Sequence, residues 1–165
     1  MKERILESTF RSRSFGALFA APTPVLILIG TVSIFLAQYG ISVCLGGLFG
    51  YPAPAIDPFA GRPLWLKIPW IVVLAPLYET FIFQWLIIKF VHGPLRGSWL
   101  IAGLASAVIF GLGHGHTDWR ALRMLATAAV LASIFVIESR RAGPAFWATC
   151  ITHGLFNGLA VVYNS

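Results

Sequence analysis

After a short basic segment, the chain opens on an apolar run from about Phe15 to Phe49. A secretory signal peptide has an apolar region of only about 7–15 residues, so this run reads as a retained membrane anchor. A helix from about Pro24 to Leu48 would be about 37 Å long at 1.5 Å per residue. That is enough to cross a hydrocarbon core of about 30 Å with some tilt. Pro22 and Pro24 suit the start of a helix better than its middle. Residues 1–14 carry Lys2, Arg4, Arg11 and Arg13 and read as a basic interfacial segment. Residues 15–63 hold the first anchor and a loop rich in proline and glycine.

Composition extends this reading to the whole chain. Of its 165 residues, 58% are hydrophobic and only 11% are charged, against about 25% charged in soluble domains. So few charges cannot cover a water-soluble surface. The length suits about one domain. The net charge of +6 would suggest nucleic acid in a soluble protein. Here the basic residues flank apolar segments, where they meet lipid headgroups, and no basic stripe with interleaved aromatics argues for nucleic acid. Cys44 and Cys150 both lie in apolar stretches, so no disulfide framework is expected.

The expected fold is therefore all-α, a polytopic transmembrane bundle of about five spans. A second span runs from about Leu64 to Val91, with a kink expected at Pro69 or Pro76. A third runs from about Ser98 to Gly113, rich in small residues that let helices approach closely. Asp118 can cap a fourth, from about Trp119 to Ile137, and a fifth runs from about Pro144 to Val162. Residues 64–165 hold the last four spans. With the N-terminus inside, eight basic residues (Lys2, Arg4, Arg11, Arg13, Lys89, Arg96, Arg140 and Arg141) face four outside (Arg62, Lys67, Arg120 and Arg123). That balance favours a cytoplasmic N-terminus.

Within the spans, one acidic residue stands out. A carboxylate at mid-membrane costs about 2.5–3.5 kcal/mol on insertion scales and is by default a functional group with a partner. Glu3, Glu7, Asp57, Asp118 and Glu138 lie in loops or near span ends, whereas Glu79 lies near the middle of the second span. Its candidate partners are histidines of other spans. His114 follows Phe110 by four residues and His153 precedes Asn157 by four, so each pair shares a helix face. A Glu beside a His can hold a water and take its proton, and a second His with an Asn can donate hydrogen bonds to a developing oxyanion. Such a set suits amide hydrolysis by activated water.

These residues resemble the CPBP (Abi) family of intramembrane proteases, which includes the type II CAAX prenyl endopeptidases. The family pattern is EExxxR on one span, FxxxH on the next and HxxxN on a later one. Here Glu79-Thr80-Phe-Ile-Phe-Gln84, Phe110-Gly-Leu-Gly-His114 and His153-Gly-Leu-Phe-Asn157 follow in that order within about residues 64–162. The resemblance implies an endopeptidase in which Glu79 and His114 activate water while His153 and Asn157 stabilise the oxyanion. Thr80, Gln84 and Phe110 would be structural support. The first motif departs at its second Glu and its Arg. Thr80 and Gln84, four apart, would replace an ion pair by a neutral hydrogen-bonding pair.

No cofactor is demanded by this set. A zinc ion held by Glu79, His114 and His153 is an alternative, although it would leave no separate carboxylate as base. His116 would point away from His114 in a helix, since two residues turn about 200°. The expected partners are a peptide or lipid-anchored protein substrate and the bilayer of a bacterial or archaeal cell. The sequence leaves the oligomeric state open. Two rival readings stand beside hydrolysis. One is a non-enzymatic member acting as scaffold, immunity or assembly factor, favoured by the altered first motif. The other is a proton-relay transporter, disfavoured because no inverted repeat is present.

Overall fold

The computed structural model describes residues 16–50, 61–116 and 118–163. The expected interfacial segment 1–14 and residues 51–60 of the first loop lie outside the described residues. Among the described residues, five helices of 15 residues or more follow in chain order: α1 (Thr23–Phe49), α2 (Leu64–His92), α3 (Trp99–Gly113), α4 (Arg120–Arg140) and α5 (Ala145–Tyr163). Among the described residues there is no strand. Together they form an all-α bundle of an integral membrane protein.

The helix ends follow local chemistry. Pro22 precedes α1, Pro24 sits in its first turn, and Gly50 ends it at φ 64° with its N–H on Gly46 O. Only glycine takes that left-handed cap without strain. Ser98 Oγ accepts the Ile101 N–H at the start of α3. Asp118 Oδ1 accepts the Arg120 N–H at 3.0 Å and so caps α4. His92 is the last residue of α2. It stacks on Trp99 at 3.7 Å and bonds Gly97 O through Nδ1 at 2.9 Å, closing the turn between α2 and α3.

Burial runs opposite to that of a soluble protein. Large apolar side chains such as Leu28, Leu36, Trp65, Leu100, Leu104 and Trp147 are exposed, while Gln38, Thr80, Gln84, Ser106, Glu138 and His153 are buried. An apolar exterior is what lipid tails require. Four helices are long and apolar enough to cross a membrane. The fifth, α3, has only 15 residues, about 22 Å at 1.5 Å per residue. The expected count of about five spans therefore holds as five helices, of which α3 falls short of the hydrocarbon thickness.

Helix α4 lies at the centre, packed against α1, α3 and α5. Leu131 and Phe135 on α4 meet Ile34 of α1, Ile88 of α2 and Phe110 of α3 in one apolar core. Small residues set the spacing. A Cβ on Gly30 would strike Ile134 of α4, and one on Gly111 would come within 2.6 Å of Leu125. Polar groups tie the same seams. Gln38 of α1 donates to Thr127 Oγ1 at 2.8 Å and accepts from Arg123 Nε at 2.6 Å. At the far end of α4, Arg141 binds Glu138 through both carboxylate oxygens. It also donates to Ala21 O and to Thr23 Oγ1, which pins the entry of α1 to the end of α4.

Helix α2 departs most from expectation. It is α-helical at Leu64–Lys67, Ala75–Glu79 and Ile87–His92, but winds as π-helix over Ile68–Leu74 and Thr80–Leu86. The expected proline kink thus takes the form of wide turns with i→i+5 bonding. In the first π segment Ala75 N–H reaches Trp70 O. The next bond in that register would come from residue 76, which is proline and has no N–H, so the π winding stops there.

Candidate active site

Three helices bring three side chains together. Glu79 ends the α-helical turn between the two π segments of α2. His114 is the residue on which α3 ends, and Gly115 at φ 69° turns the chain away beyond it. His153 is buried in the middle of α5. Glu79 Oε2 lies 3.9 Å from His114 Nε2 and 3.7 Å from His153 Nε2. Both separations exceed a direct N–H···O bond. Glu79 and His114 keep 21% and 27% of their side-chain surface exposed, whereas His153 keeps 5%. The site is therefore reached from the Glu79–His114 side and closed behind His153.

The imidazoles are held by specific neighbours. His114 Nδ1 meets Phe110 O at 2.8 Å. A carbonyl only accepts, so Nδ1 carries the hydrogen, and in the neutral ring Nε2 turns its lone pair toward Glu79. This bond also occupies a carbonyl in the last turn of α3. The Phe110 ring, itself buried, lies 4.5 Å from the His114 ring and 6.0 Å from the His153 ring. Phe83 of α2 meets Phe110 edge-on at 5.2 Å, and the Gly113 backbone sits close against Phe83. Phe110 thus packs against both imidazoles and against Phe83. Phe83 lies outside the motif positions, and in a π-wound stretch its spacing from Glu79 carries no signal for a shared face.

The remaining expected members make other contacts. Asn157 Nδ2 donates to Ile71 O on α2 at 2.9 Å and so spends a donor on the main chain. Thr80 and Gln84 are fully buried, but neither hydrogen-bonds the other. The Thr80 hydroxyl and both amide atoms of Gln84 have no hydrogen-bond partner among the described residues. The expected Thr80–Gln84 pair does not form. In a stretch wound i→i+5, residues four apart no longer stand one above the other as they do in an α-helix. The Cys150 thiol points to Pro76 O at 3.7 Å.

The zinc alternative can be set against these donors. Among the described residues, no group of three or more His, Cys, Asp or Glu side chains is arranged to hold a metal ion. Glu79, His114 and His153 converge, but His116 falls past the turn at Gly115 and does not complete a set. Among the described residues there is no ready zinc cage.

What remains is a carboxylate and two imidazoles sharing one oxygen in an apolar bundle, open on one side. Such a set can bind a polar molecule between its members and move a proton. No curated protein sequence and no solved structure matches the chain significantly. A family model does match residues 61–159, which hold Glu79, His114, His153 and Asn157, and by that match the chain belongs to the type II CAAX prenyl endopeptidase Rce1-like family.

Proposed function

We propose that this chain is an intramembrane endopeptidase that hydrolyses a peptide bond of a membrane-associated substrate with a water activated by Glu79 and His114. The observation that supports it best is the sharing of Glu79 Oε2 by two imidazole nitrogens at 3.9 and 3.7 Å. Gaps slightly beyond bonding distance suit a bridging water. The water oxygen attacks the scissile carbonyl carbon while its proton passes to Glu79. The carbonyl oxygen becomes an oxyanion on the His153 side. As the C–N bond breaks, Glu79 returns the proton to the leaving amine, and the carboxylic acid product departs. Proton transfer by a positioned group of this kind contributes about 10²–10⁴-fold in rate.

The substrate reading is a peptide or lipid-anchored protein whose cleavage site reaches bilayer depth. The excess of basic residues on one side supports a cytoplasmic N-terminus in a bacterial or archaeal cell membrane. The test is cleavage of a lipid-anchored reporter peptide in vesicles by wild type and Glu79→Gln. Cleavage lost in the variant supports the proposal, and equal cleavage overturns it. Chelation followed by added zinc, in the same assay, decides between the metal-free route and the zinc alternative.

One observation favours a second reading. Thr80 and Gln84 stand where the family pattern has Glu and Arg, and they leave buried polar atoms without partners. A member that keeps the fold as a membrane scaffold or immunity factor would tolerate this. That reading predicts a cellular phenotype on deletion which Glu79→Gln fully complements.

A further inference from the structure

We propose that Asn157 is a positioning residue that supplies the hydrogen bond Pro76 cannot make, and so fixes the turn of α2 that carries Glu79. This rests on the proposed hydrolysis for its activity readout only.

Proline removes one backbone donor from α2 at residue 76. In the i→i+5 winding that precedes it, that donor would have gone to Ile71 O. In ordinary α winding it would have gone to Val72 O. Buried carbonyls in a bilayer need partners from within the protein. Helix α5 lies against both and bonds the first. Asn157 Nδ2 donates to Ile71 O at 2.9 Å. Gly154, one turn earlier, brings its backbone so close to Val72 O that a Cβ there would lie 2.6 Å from it. Cys150, a further turn back, aims its thiol at Pro76 O. Positions 150, 154 and 157 fall on one helical stripe, and that stripe runs along the interrupted turn of α2 from residue 76 back to residue 71.

Glu79 lies three residues beyond Pro76 on the same short α-helical turn, Ala75–Glu79. Whatever fixes residues 71–76 fixes the direction in which its carboxylate points. His153, next to Gly154 on α5, faces that carboxylate. One helix therefore carries both the brace and one of the imidazoles, which keeps the two in register.

The test is a four-protein cycle: wild type, Asn157→Ala, Pro76→Ala and the double variant, each assayed as folded full chain in vesicles on a lipid-anchored peptide. Asn157→Ala should lower kcat about 10–100-fold with KM changed less than about twofold, the pattern of a misplaced catalytic group rather than lost binding. Pro76→Ala restores a backbone N–H, so in that background the same Asn157→Ala change should lower kcat less than about threefold. An Asn157→Ala loss equally large in both backgrounds would overturn the proposal and assign Asn157 to the substrate oxyanion instead. If Pro76→Ala does not fold, Gly154→Ala decides. A kcat loss like that of Asn157→Ala supports the brace, and an unchanged kcat overturns it. Should wild type cleave no peptide, the thermal midpoints of the same four proteins carry the interaction by themselves. Asn157→Ala then lowers the midpoint in wild type and leaves it unmoved beside Pro76→Ala, or the proposal fails.

Discussion

Two carboxylates are held inside this bundle, and they are held in opposite ways. Glu138 at the end of α4 is fully buried and bound at both oxygens by Arg141. That guanidinium in turn spends its remaining donors on Ala21 O and Thr23 Oγ1. The packing is so close that a Cβ on Gly143 would strike the Glu138 carboxylate. Among the described residues, Glu79 has no Lys or Arg paired with it. It faces two imidazoles across 3.9 and 3.7 Å and keeps a fifth of its surface open. A carboxylate bound at both oxygens by one guanidinium serves to hold helices together. One whose lone pairs are partly idle, next to titratable rings, can take a proton. The difference suits Glu138 to a structural role and Glu79 to the proposed hydrolysis.

The sharpest way to break the comparison is at Glu79. Glu79→Gln should cut kcat on a lipid-anchored peptide by about 10²–10⁴-fold while the melting curve in detergent stays in place. A variant that melts much earlier would put Glu79 in the structural class with Glu138. The mirror experiment is Arg141→Ala, which strands a buried carboxylate and should cost about 3–5 kcal/mol, read from reversible unfolding in mild denaturing detergent. Activity per folded molecule should hold. Replacing Glu138 and Arg141 together by apolar residues should cost less than the single change, since no buried charge is then left alone.

Thr80→Glu is a smaller perturbation. It places a second carboxylate at a fully buried position with Gln84, not a cation, four residues on. The expected result is a loss of stability of about 1–3 kcal/mol and no gain in cleavage. A tenfold rise in activity would instead mark Thr80 as a lost catalytic position. The smallest effect belongs to Asp118, outside the spans. The Arg120 side chain bonded to it holds its pKa below the ordinary aspartate range. Its contribution is therefore present above the ordinary aspartate pKa of about 3.9 and is lost as pH falls through the lowered value. Asp118→Asn should shift the melting midpoint slightly at neutral pH and not at all at the acid end.

Much of this was legible in the residues themselves. Apolar runs bounded by Pro, Gly and basic residues located all five helices to within a few residues, because lipid solvation and helix ends are local matters. Glu79, His114 and His153 could be grouped because an ionisable group inside a span needs a partner from another span. Asn157 shows where such reading stops. Its spacing from His153 gives a shared face, but not that Ile71 O lies opposite. The π winding of α2 was illegible for a related reason. Pro76 announces a missing donor, while the choice between a kink and a widened turn depends on what α5 offers across the seam. The shortfall of α3 was written in the sequence as Gly113-His114-Gly115, a stop placed before the helix had spanned the bilayer.

That stop has a consequence for the lipid. A helix of about 22 Å beside a hydrocarbon layer of about 30 Å leaves roughly 8 Å of hydrophobic mismatch, and bilayers relieve mismatch by thinning locally at a fraction of a kcal/mol per Å. A bilayer that relieves the mismatch by thinning would thin along α3, the helix whose end carries His114. For the proposed hydrolysis, such thinning would shorten the path of water to Glu79 beside the shortest of the five helices.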